Sequence, residues 1–307
     1  MSIIFGPIQS RRFGKSLGVD LSPDSKQCNY DCLYCELAST QTVDVQTSIV
    51  PVDEIITAIQ SALADHPDID VLTLTANGEP TLYPYLNELI DRINTFKGSI
   101  QTLILSNGST IDDPRIQEAL CKIDTVKLSL DCATPRCFKR IDRGHSGIDI
   151  ETIKAGMLTF RRRTTHPLLI EILVVAGIND TPTEIEALNA FLLQLHPDRI
   201  DLGTIDRPPA YEVQPVTYET LYGLAGHFDP TLPVNITHRK HVTASPGSYD
   251  ESAILATLAK RPLTPDDITI LFDDASQKRL QTMVQNGEVR LKNNNNVDFF
   301  TLPSKNH

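Results

Sequence analysis

The stretch Cys28-Asn29-Tyr30-Asp31-Cys32-Leu33-Tyr34-Cys35 packs three thiols into a short run, spaced Cys-x3-Cys-x2-Cys. A lone free cysteine is normally a small buried apolar residue. Polar Asn29, Asp31 and Glu36 around this triplet oppose that reading. Thiolates at such density point to a metal, either zinc or an iron–sulfur cluster. A structural zinc site wants four protein ligands, usually as two pairs. Cys121, Cys132 and Cys137 are scattered and make no second pair. A four-iron cluster held by three thiolates leaves one iron open to an external ligand, which suits chemistry more than structure.

Outward from the triplet, the chain alternates strands and helices. The lead-in ends in a short strand, Leu17 to Leu21. After the cysteine loop, apolar Ile55, Ile56, Ile59 and Leu63 fall at helical spacing. The segment Asp70–Leu82 then sets Val71, Thr73 and Thr75 against Leu72, Leu74 and Ala76, the period of a strand. Further strands are expected at Thr102–Ser106, Thr125–Leu130, Leu168–Val175 and Arg199–Thr204, separated by helices. Such alternation gives a parallel sheet with right-handed crossovers. The expected fold class is α/β, a partial (βα)6 TIM-like barrel; periodicity alone leaves a doubly wound open sheet as the alternative. Lys127, Ser129 and Asp131 share one face of their strand. A polar inner face means that this side lines a cavity. Asn77-Gly78-Glu79, Ser106-Asn107, Asp131, Asn179-Asp180 and Asp206-Arg207 all follow strand C-terminal ends, the rim that carries chemistry in such folds.

A turn-rich linker, Thr243 to Asp250, reads as a boundary. Residues 1–245 are taken as the barrel domain and 246–307 as a second, winged-helix-like domain. The latter is expected to hold three short helices and a hairpin with its tip at Asn293–Asn296.

The triplet, the aromatic Tyr34 before its third cysteine, and the lead-in Phe5–Pro23 (FGPIQSRRFGKSLGVDLSP) resemble the radical S-adenosylmethionine (SAM) enzymes. The lead-in is similar to the branch of tRNA wybutosine-synthesis enzymes, the 4-demethylwyosine synthases. The resemblance implies a [4Fe–4S] cluster on Cys28, Cys32 and Cys35, with SAM on the fourth iron. It implies reductive cleavage of SAM to a 5′-deoxyadenosyl radical that abstracts hydrogen from substrate, an oxidoreductase-type chemistry. A one-electron reductant, flavodoxin or ferredoxin, is the implied partner. It further implies that Gly78-Glu79-Pro80 is the motif for the SAM amino group. Ser129 and Asp131 would be a polar pair for the SAM ribose or carboxylate. Asn107, with Ser106, would be a cofactor contact, and Tyr34 would pack near the adenine. Val175 and Asn179 occupy the adenine-contacting strand. Beside these stand plainer readings: Glu79 as a helix cap and Ser129/Asp131 as a polar surface. One departure matters. The wybutosine enzymes carry further N-terminal cysteines for a second cluster, and this chain has none before Cys28.

A formal charge of −11 and a pI near 5.2 exclude broad, non-specific nucleic-acid binding. A local basic patch is still compatible. Arg11, Arg12, Lys127 and Arg207 are candidates for substrate anions or the SAM carboxylate. Arg161–Arg163 and His238–His241 read as solvated runs. Lys139, Arg140, Arg143 and His145 read as a loop. An RNA nucleoside leads as substrate, a route to tRNA modification; a peptide or small metabolite follows. No apolar run reaches membrane-span length and the N-terminus lacks a signal-peptide core, so a cytoplasmic protein without a membrane partner is expected. Six cysteines in 307 residues make no disulfide framework. The rival from another class is a zinc-binding winged-helix regulator that binds DNA without catalysis.

Overall fold

Strand alternation sorts the side chains onto two faces of one sheet, and the two faces differ in chemistry. The computed structural model describes residues 2–10, 13–236, 246–260, 262–294 and 297–303. Strands β1 (Ile4–Ser10) and β2 (Gly14–Asp20) form an antiparallel hairpin. Then come β3 (Val71–Thr75), β4 (Gln101–Ser106), β5 (Thr125–Ser129), β6 (Leu168–Val174), β7 (Arg199–Thr204) and β8 (Val234–Ile236). They lie in strict chain order, β1 to β8, parallel from β2 onward. A doubly wound sheet reverses its strand order at a switch point. This one never does, so the sheet is wound in one direction, as in an incomplete TIM-like barrel. The lead-in supplies a whole hairpin where the sequence suggested one strand, and β8 extends the six expected strands.

One face carries Leu72, Leu74, Ile104, Val126, Leu128, Ile170, Ile172, Ile200 and Leu202, all buried. The helices α1 (Val52–Asp65), α2 (Leu86–Phe96), α3 (Pro114–Leu120), α4 (Pro135–Ile141), α5 (Ile150–Arg163), α6 (Pro182–Leu195) and α7 (Tyr218–Ala225) accompany these strands. Ile55, Ile59, Leu89, Ile93, Ile153, Phe160, Leu188 and Leu192 join the same core. Each such side chain is worth about 1.5–3 kcal/mol when fully buried. Helices α3, α4 and α6 begin alike: Asp113, Thr134 and Thr181 cap them, and proline follows at the first position.

Register places the opposite set on the inner face: Ser16, Gly18, Thr73, Thr75, Leu105, Lys127, Ser129, Glu171 and Asp201. The Phe5 ring lies against Gly18 so closely that an added Cβ would come within 2.1 Å of it. Lys127 Nζ reaches Glu171 Oε1 (2.5 Å) and Asp201 Oδ2 (3.2 Å). Arg199 pairs with Asp201 (3.1 Å) and lies 5.1 Å over the Phe13 ring. On the inner face Lys127 and Asp201 are thus buried in ion pairs, while Leu105, the register partner of Lys127 on β4, stays 38% exposed.

Beyond residue 245, α8 (Glu251–Lys260), α9 (Pro265–Leu271), α10 (Asp274–Gln285) and the hairpin β9 (Arg290–Asn294)/β10 (Val297–Thr301) follow. They build a separate core from Ile254, Leu258, Phe272, Leu280 and Met283. Ile8 packs against that core and Tyr249 Oη donates to the Pro7 carbonyl (2.8 Å), so the unit docks on β1. Among the described residues no helix is long and apolar enough to cross a membrane. Arg11, Arg12, His238–His241 and the first three residues of the expected linker (243–245) lie outside the described residues.

Candidate metal centre

The three cysteines sit in the long connection between β2 and α1, at the C-terminal ends of the strands. Buried Gln27 fixes that connection. Its backbone N–H donates to the Asn77 carbonyl (2.9 Å) and its own carbonyl accepts from Glu79 N (3.0 Å). Its side-chain oxygen accepts from Thr47 N (2.6 Å) and Ser48 N (3.0 Å). Gly78, at φ 140°, lies against this strand-like contact, and a Cβ there would stand 2.0 Å from the Gln27 carbonyl oxygen. The close approach that glycine permits is thus to the cysteine loop.

Glu79 is 1% exposed. Its Oε1 accepts from Thr81 N (2.9 Å), Thr81 Oγ1 (2.6 Å) and Ser106 Oγ (2.7 Å). Its Oε2 accepts from Asn107 N (2.7 Å). The carboxylate caps the single 3-10 turn Pro80–Leu82, the plainer of its two sequence readings. Burial nevertheless raises its pKa above the ordinary value. Asn107 links this acid to the thiols: its Nδ2 donates to Asn29 Oδ1 (2.9 Å) and lies 3.8 Å from Cys28 Sγ.

On the other side, buried Asp131 holds the loop through Tyr34. Tyr34 Oη donates to Asp131 Oδ2 (2.5 Å) and Leu173 N donates to Oδ1 (2.6 Å). Fully buried Asn179 closes the junction by donating to the Asp131 and Leu173 carbonyls (2.9 Å each) and accepting from Val175 N (2.7 Å). Tyr34 and Asp131 are therefore loop-to-strand anchors by their hydrogen bonds. Ser129 is half-buried on the inner face, level with Glu171.

Helix α4 was expected as a loop. Thr134-Pro135 signals its start, and Lys139 and Arg140 belong to its last turn. Its end accepts two amides of the cysteine loop: Leu33 N to the Ile141 carbonyl (2.9 Å) and Asp31 N to the Asp142 carbonyl (3.1 Å). Arg143, at φ 51°, pairs with Asp31 (3.3 Å) and lies 4.8 Å over the Tyr211 ring. Tyr211 Oη donates to Asp31 Oδ2 (2.5 Å), Ala210 N donates to the Cys35 carbonyl (2.8 Å) and Arg207 pairs with Glu36 (3.1 Å). The segment after β7 thus clasps the loop across the barrel mouth.

Two expected anion-binding cations are corrected here. Arg207 is matched to Glu36, and Lys127 faces inward but is matched to Glu171 and Asp201. Six cysteines were expected to make no disulfide framework, yet Cys132 and Cys137 are joined as a disulfide. Gln27, Asp31, Asp142 and Tyr211 escaped sequence reasoning, because each works through a partner distant in the chain.

The electrostatics keep metal-free Cys28 and Cys32 protonated. Cys28 is pushed up to about 12, first by burial and then by the charge of Glu79. Cys32 is raised by burial and then by Asp142, whose Oδ1 lies 3.7 Å from its sulfur. Asp142 is itself raised by burial and by Asp131. Lys26 Nζ lies 3.6 Å from Cys35 Sγ. A bound metal deprotonates coordinating thiols outright, so loading here must release protons. One tetrahedral zinc, with Zn–S near 2.3 Å, would draw its sulfurs to within roughly 4 Å of one another. Among the described residues, the donors gathered within 4.8 Å of one another are Cys132, Cys137 and Glu184, and the loop thiols form no such group. Three soft donors set apart on one loop fit a multi-iron cluster.

Comparison with known proteins agrees with this chemistry. The radical SAM superfamily matches residues 23–191. A UPF0026 protein of Helicobacter pylori (strain ATCC 700392 / 26695) is 40% identical over 303 residues, covering 97% of each chain. The solved structure of a radical SAM methyltransferase from Sphaerobacter thermophilus superposes at a TM-score of 0.58 with 14% identity, covering 72% of this chain and 66% of that one. Archaeal TYW1 aligns over 94% of this chain and 78% of its own at a TM-score of only 0.45 and 14% identity, too low to assign a branch.

Proposed function

This chain belongs to the radical SAM superfamily, shared with its UPF0026 relatives, and from that we propose that Cys28, Cys32 and Cys35 hold a [4Fe–4S] cluster in an enzyme that cleaves SAM. The observation that carries the reading is the docking of all three cysteines in one loop, anchored at the ends of β3, β5 and β7, over an inner face left open at Leu105. Bound there, the cluster would supply one electron, drawn in turn from a flavodoxin or ferredoxin, for cleavage of SAM to methionine and a 5′-deoxyadenosyl radical. Glu79 presents a buried carboxylate whose Oε2 has one donor, Asn107 N. A carboxylate oxygen accepts about two hydrogen bonds, which leaves Oε2 a place for the SAM ammonium. Asn107, Ser129 and Asp131 are the further residues we assign to the SAM site. The Arg207–Glu36 and Tyr211–Asp31 contacts shield the loop from water, and so protect reactive species from side reactions.

We read the substrate as a tRNA nucleoside on the strength of the lead-in, and the C-terminal unit as a winged-helix-like docking module. With Lys127 and Arg207 neutralised by carboxylates, RNA phosphate contacts would fall to Arg11, Arg12 or the C-terminal unit. The test is anaerobic reconstitution with iron and sulfide, then SAM and dithionite. The expected result is about four irons per chain and release of 5′-deoxyadenosine, both lost when all three loop cysteines become alanine. A colourless protein holding one tight zinc would return the chain to the regulator reading.

A further inference from the structure

We propose that Cys132 and Cys137 are a reversible dithiol–disulfide site, and that closing it pins the cysteine loop of the metal centre. The two sulfurs are bonded in this structure and both residues are buried. Neither residue has a part in the function proposed above.

Their position gives the bond its leverage. Cys132 directly follows Asp131, the acceptor of Tyr34 Oη. Cys137 lies in the first turn of α4, where its N–H donates to Thr134 Oγ1 (3.3 Å). The other end of α4 accepts the Leu33 and Asp31 amides. One covalent bond therefore joins the two elements, the end of β5 and α4, that grip the loop between Asp31 and Tyr34. At seven residues, α4 is too short to be stable by itself, so its attachment at the first turn sets where its last turn stands. Glu184, at the start of α6, accepts from Thr134 Oγ1 with both oxygens (3.0 Å each), and an oxygen of its carboxylate and both sulfurs lie within 4.8 Å of one another. Both sulfurs are buried, so a small thiol or disulfide reaches them only rarely; opening and closing are consequently slow, and the site follows sustained redox conditions more than brief ones.

The step balances without the metal centre. A low-molecular-weight disulfide, such as oxidised glutathione, is attacked by one cysteine thiolate to give a mixed disulfide. The second cysteine displaces the small thiol and the Cys132–Cys137 bond forms. Two protons and two electrons leave the protein, and two small thiols are produced.

The experiment uses the full-length chain, prepared anaerobically with iron and sulfide, equilibrated across a series of reduced-to-oxidised glutathione ratios. One aliquot is acid-quenched, alkylated with N-ethylmaleimide and mapped by mass. A second is used for amide hydrogen exchange. Toward the oxidised end, the peptide carrying both cysteines should lose both alkyl groups and weigh two hydrogens less than the dithiol. Exchange at the Asp31 and Leu33 amides should slow by up to roughly thirtyfold in that form, the scale of one cross-link closing a loop of about five residues. Full alkylation of both cysteines at every ratio would overturn the proposal. So would equal exchange at Asp31 and Leu33 in the two forms, or zinc retained on Cys132, Cys137 and Glu184 that blocks alkylation while the mass remains that of the dithiol.

Discussion

Gly78→Ala isolates what holds the cysteine loop against the barrel. An alanine methyl at φ 140° would lie 2.0 Å from the Gln27 carbonyl oxygen. The loop must retreat, and the Gln27 N–Asn77 carbonyl and Glu79 N–Gln27 carbonyl hydrogen bonds go with it. Each is worth about 1 kcal/mol net, and the backbone conformation adds about 1–3 kcal/mol for a residue with a side chain. The docked loop should therefore lose about 4 kcal/mol, close to a thousandfold in its docked-to-undocked ratio. Gly98→Ala is the control. It also has positive φ (59°), but an added Cβ there meets nothing within 4 Å, so the strain alone should cost about 1–2 kcal/mol. Hydrogen exchange at the Gln27 and Glu79 amides, with iron per chain after reconstitution, reads both variants. The reasoning fails if Gly78→Ala keeps wild-type protection and full iron, or if the two glycines respond alike.

Two further perturbations test the charges around the site. Asp131 is pushed up to about 6, first by burial, from an ordinary 3.8, so between those values the folded chain binds more protons than the unfolded one. Its contribution is then largest at low pH and is lost as pH rises through that window. Relative to Asp131→Asn, urea stability of the metal-free wild type should fall by on the order of 2–3 kcal/mol from about pH 4 to about pH 7; parallel pH profiles would refute this. Lys127→Met takes the ammonium contact (3.2 Å) away from fully buried Asp201, so a loss of about 3 kcal/mol is expected by chemical denaturation. A loss below about 1 kcal/mol would mean that the inner ion pairs rearrange freely.

The sheet was legible because its strands declare themselves one residue at a time. Leu72 against Thr73, or Leu128 against Lys127, needs no partner to be read, and the cysteine spacing is equally local. The choice between barrel and doubly wound sheet was not legible, since strand order is a property of pairing. The lead-in hairpin hid behind Gly6-Pro7 and few apolar residues. Helix α4 hid behind Lys139 and Arg140, although Thr134-Pro135 marked its start. The site was half-read for the same reason. Glu79, Asn107 and Asp131 stand at strand ends and could be named. Beyond the local bond from Thr81 to Glu79, what each touches depends on the distant residues Ser106, Asn29 and Tyr34. Arg207 and Lys127 looked available because Glu36, Glu171 and Asp201 lie far away in the chain.

The clasp over the barrel mouth has a consequence for biosynthesis. It joins Arg207 to Glu36 and Tyr211 to Asp31, pairs 171 and 180 residues apart. A ribosome adding about 5–20 residues per second needs roughly 10 to 35 s to travel that distance. For that interval the nascent chain carries Cys28, Cys32 and Cys35 without the cover that Tyr211 and Arg207 later provide. Iron delivered early would meet bare thiols on a tethered chain; iron delivered late would have to pass a closed lid. The order of metal insertion and translation is thus written into the distance between residue 36 and residue 207.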